Sequence, residues 1–162
     1  MEIKMGGRIG ILGGISEIVR SEGETSVSGG IVSGSFTGKR IFSRGSASIG
    51  HFRLMDAKIF WDTGSKQTFI YVPSTDMIDI PARGSFPVSG IGASVDAYIY
   101  PASIDLFGGI KLSNIYVGVL PCSDPADPEV FDSTDIILGM DVISRGMLRI
   151  DGVNQKFSFK IK

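Results

Sequence analysis

Cysteine is almost missing from this sequence: Cys122 is the one thiol in 162 residues. No disulfide can close within the chain, and no thiolate metal cluster can be built from it. Cys122 itself reads as an inert small residue near a loop. Histidine is equally scarce. His51 stands alone, with no second histidine or cysteine to join it in a metal site, and reads as a surface or strand residue. No metal and no cofactor is expected. An excess of charge is lacking too. The formal net charge is -1, so nothing draws the chain to nucleic acid or to an anionic membrane surface. Long hydrophobic runs are also absent. Residues Gly6 to Val19 are mildly apolar but contain five glycines, Arg8, Ser16 and Glu17. A secretory signal needs an unbroken apolar core, and a membrane span needs about 20 apolar residues. A soluble, cytoplasmic protein without membrane or nucleic-acid partners is the expectation.

What is present favours strands. Glycine reaches 22 residues and hydrophobic residues 43%, which suits one domain with a real core and many tight turns. Residues 1–45 read as a Gly/Ser-rich N-terminal extension. Its stretch from Ser26 to Phe36 alternates small polar and apolar residues, giving either flat, weakly registered strands or a flexible leader. Residues 46–162 read as the folded domain. Ala57, Ile59 and Trp61 alternate with Lys58 and Phe60. Val95, Ala97 and Ile99 alternate with Asp96, Tyr98 and Tyr100. Ile115, Val117 and Val119 repeat the period of two, as do Phe157, Phe159 and Ile161. Period two between turn residues predicts strands with one buried face. Asp151-Gly152 predicts a hairpin between Leu148–Ile150 and Phe157–Ile161. One short helix is predicted, Asp141 to Arg145, stopped by Gly146. Two prolines and two aspartates make Asp124 to Pro128 a loop.

Several familiar motifs fail. Gly34 to Arg40 has its glycines one residue too close for a phosphate-binding loop, and Arg40 stands where a magnesium-binding hydroxyl is needed. Gly90-Ile91-Gly92 lacks the third glycine of a dinucleotide fingerprint. No G-x-S-x-G elbow occurs, so the serines have no strained nucleophile turn.

One constellation holds. Ile59-Phe60-Trp61-Asp62-Thr63-Gly64-Ser65 is an apolar strand that delivers a carboxylate to a turn. The triplet alone reads as a plain strand-end turn. Pro87-Val88-Ser89-Gly90-Ile91-Gly92-Ala93 then supplies a glycine-bearing hairpin, and Asp135-Ile136-Ile137-Leu138-Gly139-Met140-Asp141 an apolar strand ending in glycine before the helix. In this order, across about Ser46 to Lys162, the chain resembles the retropepsin-like aspartic peptidases. The closing run Gly146 to Ile150 with Lys156 to Phe159 is more similar to stand-alone bacterial or phage members than to a piece of a retroviral polyprotein. The resemblance implies an all-β acid-protease fold: a small closed β-barrel with one short helix, one lobe per chain.

It also implies a chemistry. Two carboxylates share one proton, because like charges about 3 Å apart cannot both ionise. The ionised one activates a water and the protonated one polarises the scissile carbonyl of a polypeptide substrate. The chain has one Asp-Thr-Gly, so the second carboxylate is expected from another copy across a two-fold axis. On this resemblance Asp62, Thr63, Gly64 and Ser65 form the catalytic loop. Thr63 ties the two loops together, and Gly64 lets backbone approach the pair. Lys66, Gly90, Ile91 and Gly92 touch substrate, the last three as the flap tip. Ile137-Leu138-Gly139 packs beneath the loop, and the strand from Lys156 to Lys162 pairs with its copy. Ser65 replaces the alanine common in relatives. Its hydroxyl is expected either to donate to the Asp62 carboxylate or to hold neighbouring backbone. Lys66 is a departure in the substrate-facing neighbourhood; Asp141 is its candidate partner, with exposed groups the alternative. The rival functional reading is a non-catalytic retropepsin-like module for dimerisation or peptide capture. A β-rich structural protein with accidental motifs is more distant.

Overall fold

The computed structural model describes residues 10–11, 26–90, 93–121 and 134–162. Their strands are β1 (Gly10–Ile11), β2 (Ser26–Ser28), β3 (Ile31–Ser35), β4 (Ile41–Ile49), β5 (Phe52–Trp61), β6 (Phe69–Val72), β7 (Ser85–Gly90), β8 (Ala93–Leu106), β9 (Ile110–Pro121), β10 (Ile136–Leu138), β11 (Gly146–Asp151) and β12 (Lys156–Ile161). A 3-10 turn spans Thr75–Met77, and one short helix, α1, spans Met140–Ile143.

Hydrogen bonding runs in the order β8-β4-β5-β10-β6-β9, and β9 pairs back with β8, so six strands close into a barrel. Closure removes the sheet edges that would otherwise be open to pairing. β7 extends β8 as a hairpin, with β1 on its far side, and β2 lies along β9. A second, three-stranded sheet has the order β11-β12-β3.

The period-two pattern explains the core. Ala57, Ile59 and Trp61 of β5 point into the barrel and are buried, while Lys58 and Phe60 lie on the partly covered outer face. β9 is covered on both faces from Ile115 to Leu120. Its outer side, with Phe69, Phe86, Ala97, Ile99 and Ile137, forms a second apolar cluster that packs the β7–β8 hairpin against the barrel wall. At Gly45 the β4–β5 register shifts, and a Cβ there would come 2.4 Å from the Asp105 carbonyl oxygen, so only glycine lets β8 close on β4.

Three expectations change. A boundary between residues 45 and 46 falls inside β4, a barrel strand. Val32 of β3 is buried against the core as well. The glycine- and serine-rich stretch therefore takes the flat-strand alternative, and its pairing to β12 and β9 makes it part of the fold. Gly146 is not a helix stop. α1 ends at Ile143 with Ser144 as its cap, and Gly146 opens β11, where a side chain would meet the Lys160 carbonyl oxygen at 2.4 Å. Finally, β12 has β11 on one edge and β3 on the other. No edge remains for it to pair with its own copy.

The predicted hairpin at Asp151-Gly152 forms, with Leu148 opposite Phe159 and Ile150 opposite Phe157. His51 is exposed in the β4–β5 turn, where its backbone N–H and its Nδ1 both engage the Asp79 carboxylate. Cys122 and the Asp124–Pro128 loop lie outside the described residues. Among the described residues no helix is long and apolar enough to cross a membrane.

Candidate active site

β5 delivers Asp62, and its last residue fixes where. Trp61 stacks against Phe157 and Phe159, with ring centroids 5.8 and 5.1 Å away, and its Nε1–H donates to Ser43 Oγ at 2.8 Å. One residue on, the Asp62 N–H donates to the Leu138 carbonyl at 2.9 Å, continuing the parallel β5–β10 ladder for one more step. The chain then turns. Ser65 N–H donates to the Asp62 carbonyl at 3.2 Å, and Gly64 N–H donates to Asp62 Oδ1 at 2.9 Å.

Gly139, which follows β10, closes the loop from below. A Cβ at this position would lie 2.3 Å from the Gln67 carbonyl oxygen. The first amides of α1 reach back to the same loop: Met140 N–H donates to the Ser65 carbonyl at 2.8 Å, and Asp141 N–H to the Lys66 carbonyl at 3.2 Å. Ile137-Leu138-Gly139 thus sits beneath the loop, as the resemblance implies.

Asp62 is 5% exposed. Burial pushes its carboxyl above the usual carboxylate range, because the charged form loses hydration; the Gly64 and Ser65 amides oppose this. Oδ1 is held by Gly64. Oδ2 is buried and has no hydrogen-bond partner among the described residues. Buried polar atoms are nearly always paired, and among the described residues Oδ2 is the one buried side-chain oxygen or nitrogen that is not. Thr63 and Gly64, beside it, are exposed.

Two alternatives left by the sequence are resolved. The Ser65 hydroxyl does not reach the carboxylate. It is 1% exposed and donates to the Gln67 carbonyl at 2.7 Å, so it holds the turn. Asp141 does not pair with Lys66 through its side chain. Its carboxylate accepts from Thr68 Oγ1 at 2.7 Å and from Thr68 N–H at 3.1 Å. Thr68 is the residue sequence reasoning missed. Fully buried, it also accepts from Gly139 N–H at 3.1 Å. The signal was a single hydroxyl heading the apolar run Phe69-Ile70-Tyr71-Val72.

Lys66 is exposed, and the structure brings it onto the same loop as Asp62. Gly90 closes β7 opposite Ala93. Ile91 and Gly92 lie outside the described residues. The base of their hairpin is anchored to the site's own strands through Phe86, whose ring lies 6.1 Å from that of Phe69. Among the described residues no group of three or more His, Cys, Asp or Glu side chains is placed to hold a metal ion.

No model of a known protein family matches this sequence, and no curated protein does. Among solved structures, the chain is similar to the crystal structure of a retropepsin-like aspartic protease from Rickettsia conorii. The match has a TM-score of 0.50 and 13% identity, and covers 86% of this chain and 96% of that one. The fold is retropepsin-like. Identity this low carries the architecture alone, and function rests on the geometry around Asp62.

Proposed function

We propose that the chain is an aspartic endopeptidase that works as a homodimer, with Asp62 and the partner's Asp62 as its catalytic pair. The observation that carries this reading is the buried Asp62 carboxylate with Oδ1 fixed by Gly64 and Oδ2 unpartnered. A second carboxylate brought against Oδ2 by two-fold symmetry would share one proton with it, and the pair would titrate as a unit. Burial already favours the protonated form of Asp62, so one proton is retained readily when two such groups meet. The ionised member takes a proton from water as that water attacks the peptide carbonyl. The protonated member donates to the carbonyl oxygen, and the resulting tetrahedral intermediate collapses when the amine nitrogen is protonated. Extended polypeptide is the substrate class. Lys66 and the Gly90–Gly92 hairpin tip are the proposed contacts to it.

The test is hydrolysis of an unfolded protein with and without a statine-type mimic of the tetrahedral intermediate, run beside Asp62→Asn. The amide fills the same space and keeps an oxygen for Gly64, but takes no proton from water. Cleavage that is blocked by the mimic and falls by roughly 10³-fold or more in the variant supports the reading. Undiminished cleavage by Asp62→Asn sinks it. Tight binding of peptide with no cleavage by the native dimer transfers the site to the capture-module reading.

A further inference from the structure

We infer that the outer wall of the barrel carries a second binding site, for a small phosphomonoester, built from Arg53, Lys111 and the hydroxyls of Ser46, Ser48, Ser103 and Ser113. It stands at the opposite end of β5 from Asp62, and nothing in it depends on peptide cleavage.

The strand period puts these groups on one face. Ala47, Ile49, Ala102 and Ile104 are buried in the barrel, so Ser46, Ser48, Ser103 and Asp105 face outward between and beside them. Register then lines them up in two rows, because directly opposed residues share a face. Arg53, Ser48 and Ser103 stand side by side on β5, β4 and β8. Ser46, Asp105 and Lys111 stand side by side on β4, β8 and β9. Both rows line one cavity of about 290 Å³, together with Met55 and Ser113.

The wall is bent twice at this spot. Between Gly45 and Ala47 the β4–β5 ladder takes an extra residue on β5, and between Ala102 and Ile104 the β8–β9 ladder takes one on β9. Each bulge holds a non-glycine residue in the left-handed region, Asp56 at φ 48° and Asn114 at φ 53°. Side chains rarely adopt that conformation, although Asp and Asn bear it best. The residues just before them, Met55 and Ser113, are the ones that line the cavity. Bulges re-aim side chains and recur beside functional sites. Barrel closure accounts for bends in the wall, but not for what this cavity presents.

What it presents is donors. Arg53 Nη1 donates to the Gly50 and Phe52 carbonyls at 2.7 and 3.1 Å, which fixes the guanidinium. Among the described residues nothing engages its Nε or Nη2, no carboxylate pairs with it, and none of the four serine hydroxyls has a hydrogen-bond partner. Lys111 lies 3.9 Å from Asp105, the one acid in the lining, so two cations face one carboxylate. A fixed guanidinium with hydroxyls around it suits a phosphate ester, whose three terminal oxygens accept strongly and carry the charge that the cations offset. The volume is at the small end of ligand pockets, which run from about 300 Å³ upward, and leaves room for a short organic body beside the phosphate. Met55, 71% exposed, offers that body a flexible apolar contact.

The experiment is titration of the isotope-labelled full chain with glycerol phosphate, inorganic phosphate and glycerol, read by amide chemical shifts. Glycerol phosphate should give saturable shifts centred on Ser46, Ser48, Arg53, Ser103 and Lys111. Inorganic phosphate should shift the same amides with a higher Kd, and glycerol should shift none. Arg53→Gln and Lys111→Gln should each raise the Kd by roughly tenfold, as loss of one charge-assisted bond would, with amides away from the cavity unmoved. Asp105→Asn should lower it, because the one repelling carboxylate is gone. Merely structural roles would not give changes of opposite sign. A Kd above about 10 mM for glycerol phosphate, shifts centred elsewhere, or affinity that Arg53→Gln and Lys111→Gln both leave unchanged overturns the proposal. Equal affinity for inorganic phosphate overturns the ester and leaves a seat for the bare anion.

Discussion

Thr68 and Asp141 are joined twice, Oγ1 to Oδ1 at 2.7 Å and N–H to Oδ2 at 3.1 Å, across 73 residues of sequence. The clamp fastens the far side of the Asp62 loop to the first turn of α1. Asp141 also accepts from Val142 N–H at 3.0 Å, but that amide keeps the Gly139 carbonyl at 3.1 Å, so removing the carboxylate strands the two Thr68 donors. Asp141→Ala should lower unfolding stability by about 2–4 kcal/mol, more than one lost bond would, because buried donors without acceptors carry the larger penalty. Urea unfolding of both proteins measures this, and a change under about 0.5 kcal/mol would show the clamp to be incidental.

A conservative change at the same position tests the pH dependence. Burial, the largest influence, lifts the Asp141 carboxyl above its usual 3.8, and the donors from Thr68 and Val142 oppose it. The folded chain therefore holds this proton more tightly than the unfolded chain does. The stabilisation is complete below 3.8 and is lost as pH rises through the raised value. Asp62 behaves alike and in the same direction. Asp141→Asn should flatten the fall in stability above pH 3.8 without abolishing it, and Asp62→Asn together with Asp141→Asn should flatten it further. Thermal midpoints measured across the acidic range give the slopes. A steeper slope in either variant reverses the assigned sign.

Ser65 separates turn-holding from tuning of the carboxylate. Its hydroxyl bonds the Gln67 carbonyl and not Asp62. Ser65→Ala should cost about 1 kcal/mol of stability, the worth of one such bond, and leave the acidic limb of kcat/KM against pH where it stands in the native chain. An upward move of that limb by half a pH unit or more would show that the hydroxyl reaches the carboxylate in the working dimer.

Gly139→Ala should be severe. The new methyl would meet the Gln67 carbonyl group, at 2.3 Å from its oxygen and 2.5 Å from its carbon, and backbone cannot swing aside as a side-chain tip can. Overpacking of this kind costs about 1–3 kcal/mol. It also displaces the loop that Met140 and Asp141 hold, so cleavage should fall even in the fraction that folds. Normal turnover per folded chain would show that the loop has slack.

Under the proposed pairing of Asp62 with the partner's Asp62, activity per chain should fall on dilution, because the second carboxylate would arrive only with the second copy. Turnover measured against concentration, beside sedimentation at the same concentrations, makes the comparison. A monomer that retains full turnover ends the shared-site reading.

The parts legible in the sequence were those where chemistry or large side chains leave a mark. β5 was visible because Ala57, Ile59 and Trp61 alternate with longer, wetter residues, and β11–β12 because a turn signal separates two patterned runs. Asp62 and Gly139 were visible through the order of their motifs. β3 and the start of β4 were not, since Gly34, Ser35, Ser43 and Gly45 are too small to show which face is inside; their places are dictated by Phe157, Ile59 and Asp105, which lie far away in sequence. The partners of Ser65 and Asp141 were hidden for a related reason. Each had several polar candidates within reach, and only the packed loop decides between them.

β10 lies between β5, to which it is parallel, and β6, to which it is antiparallel. β5 and β6 are neighbours in the sequence, yet they cannot hold the Asp62 loop in place without Ile136–Leu138 in the slot between them. As the chain leaves the ribosome, its carboxylate emerges long before the strand that seats it. Closing so long a loop is slow relative to local hairpins, so β4–β5 and β7–β8 can form while Asp62 still lacks its support. The order of synthesis thus builds in a delay: the Asp62 loop gains its seat only after Ile136–Leu138 has been made.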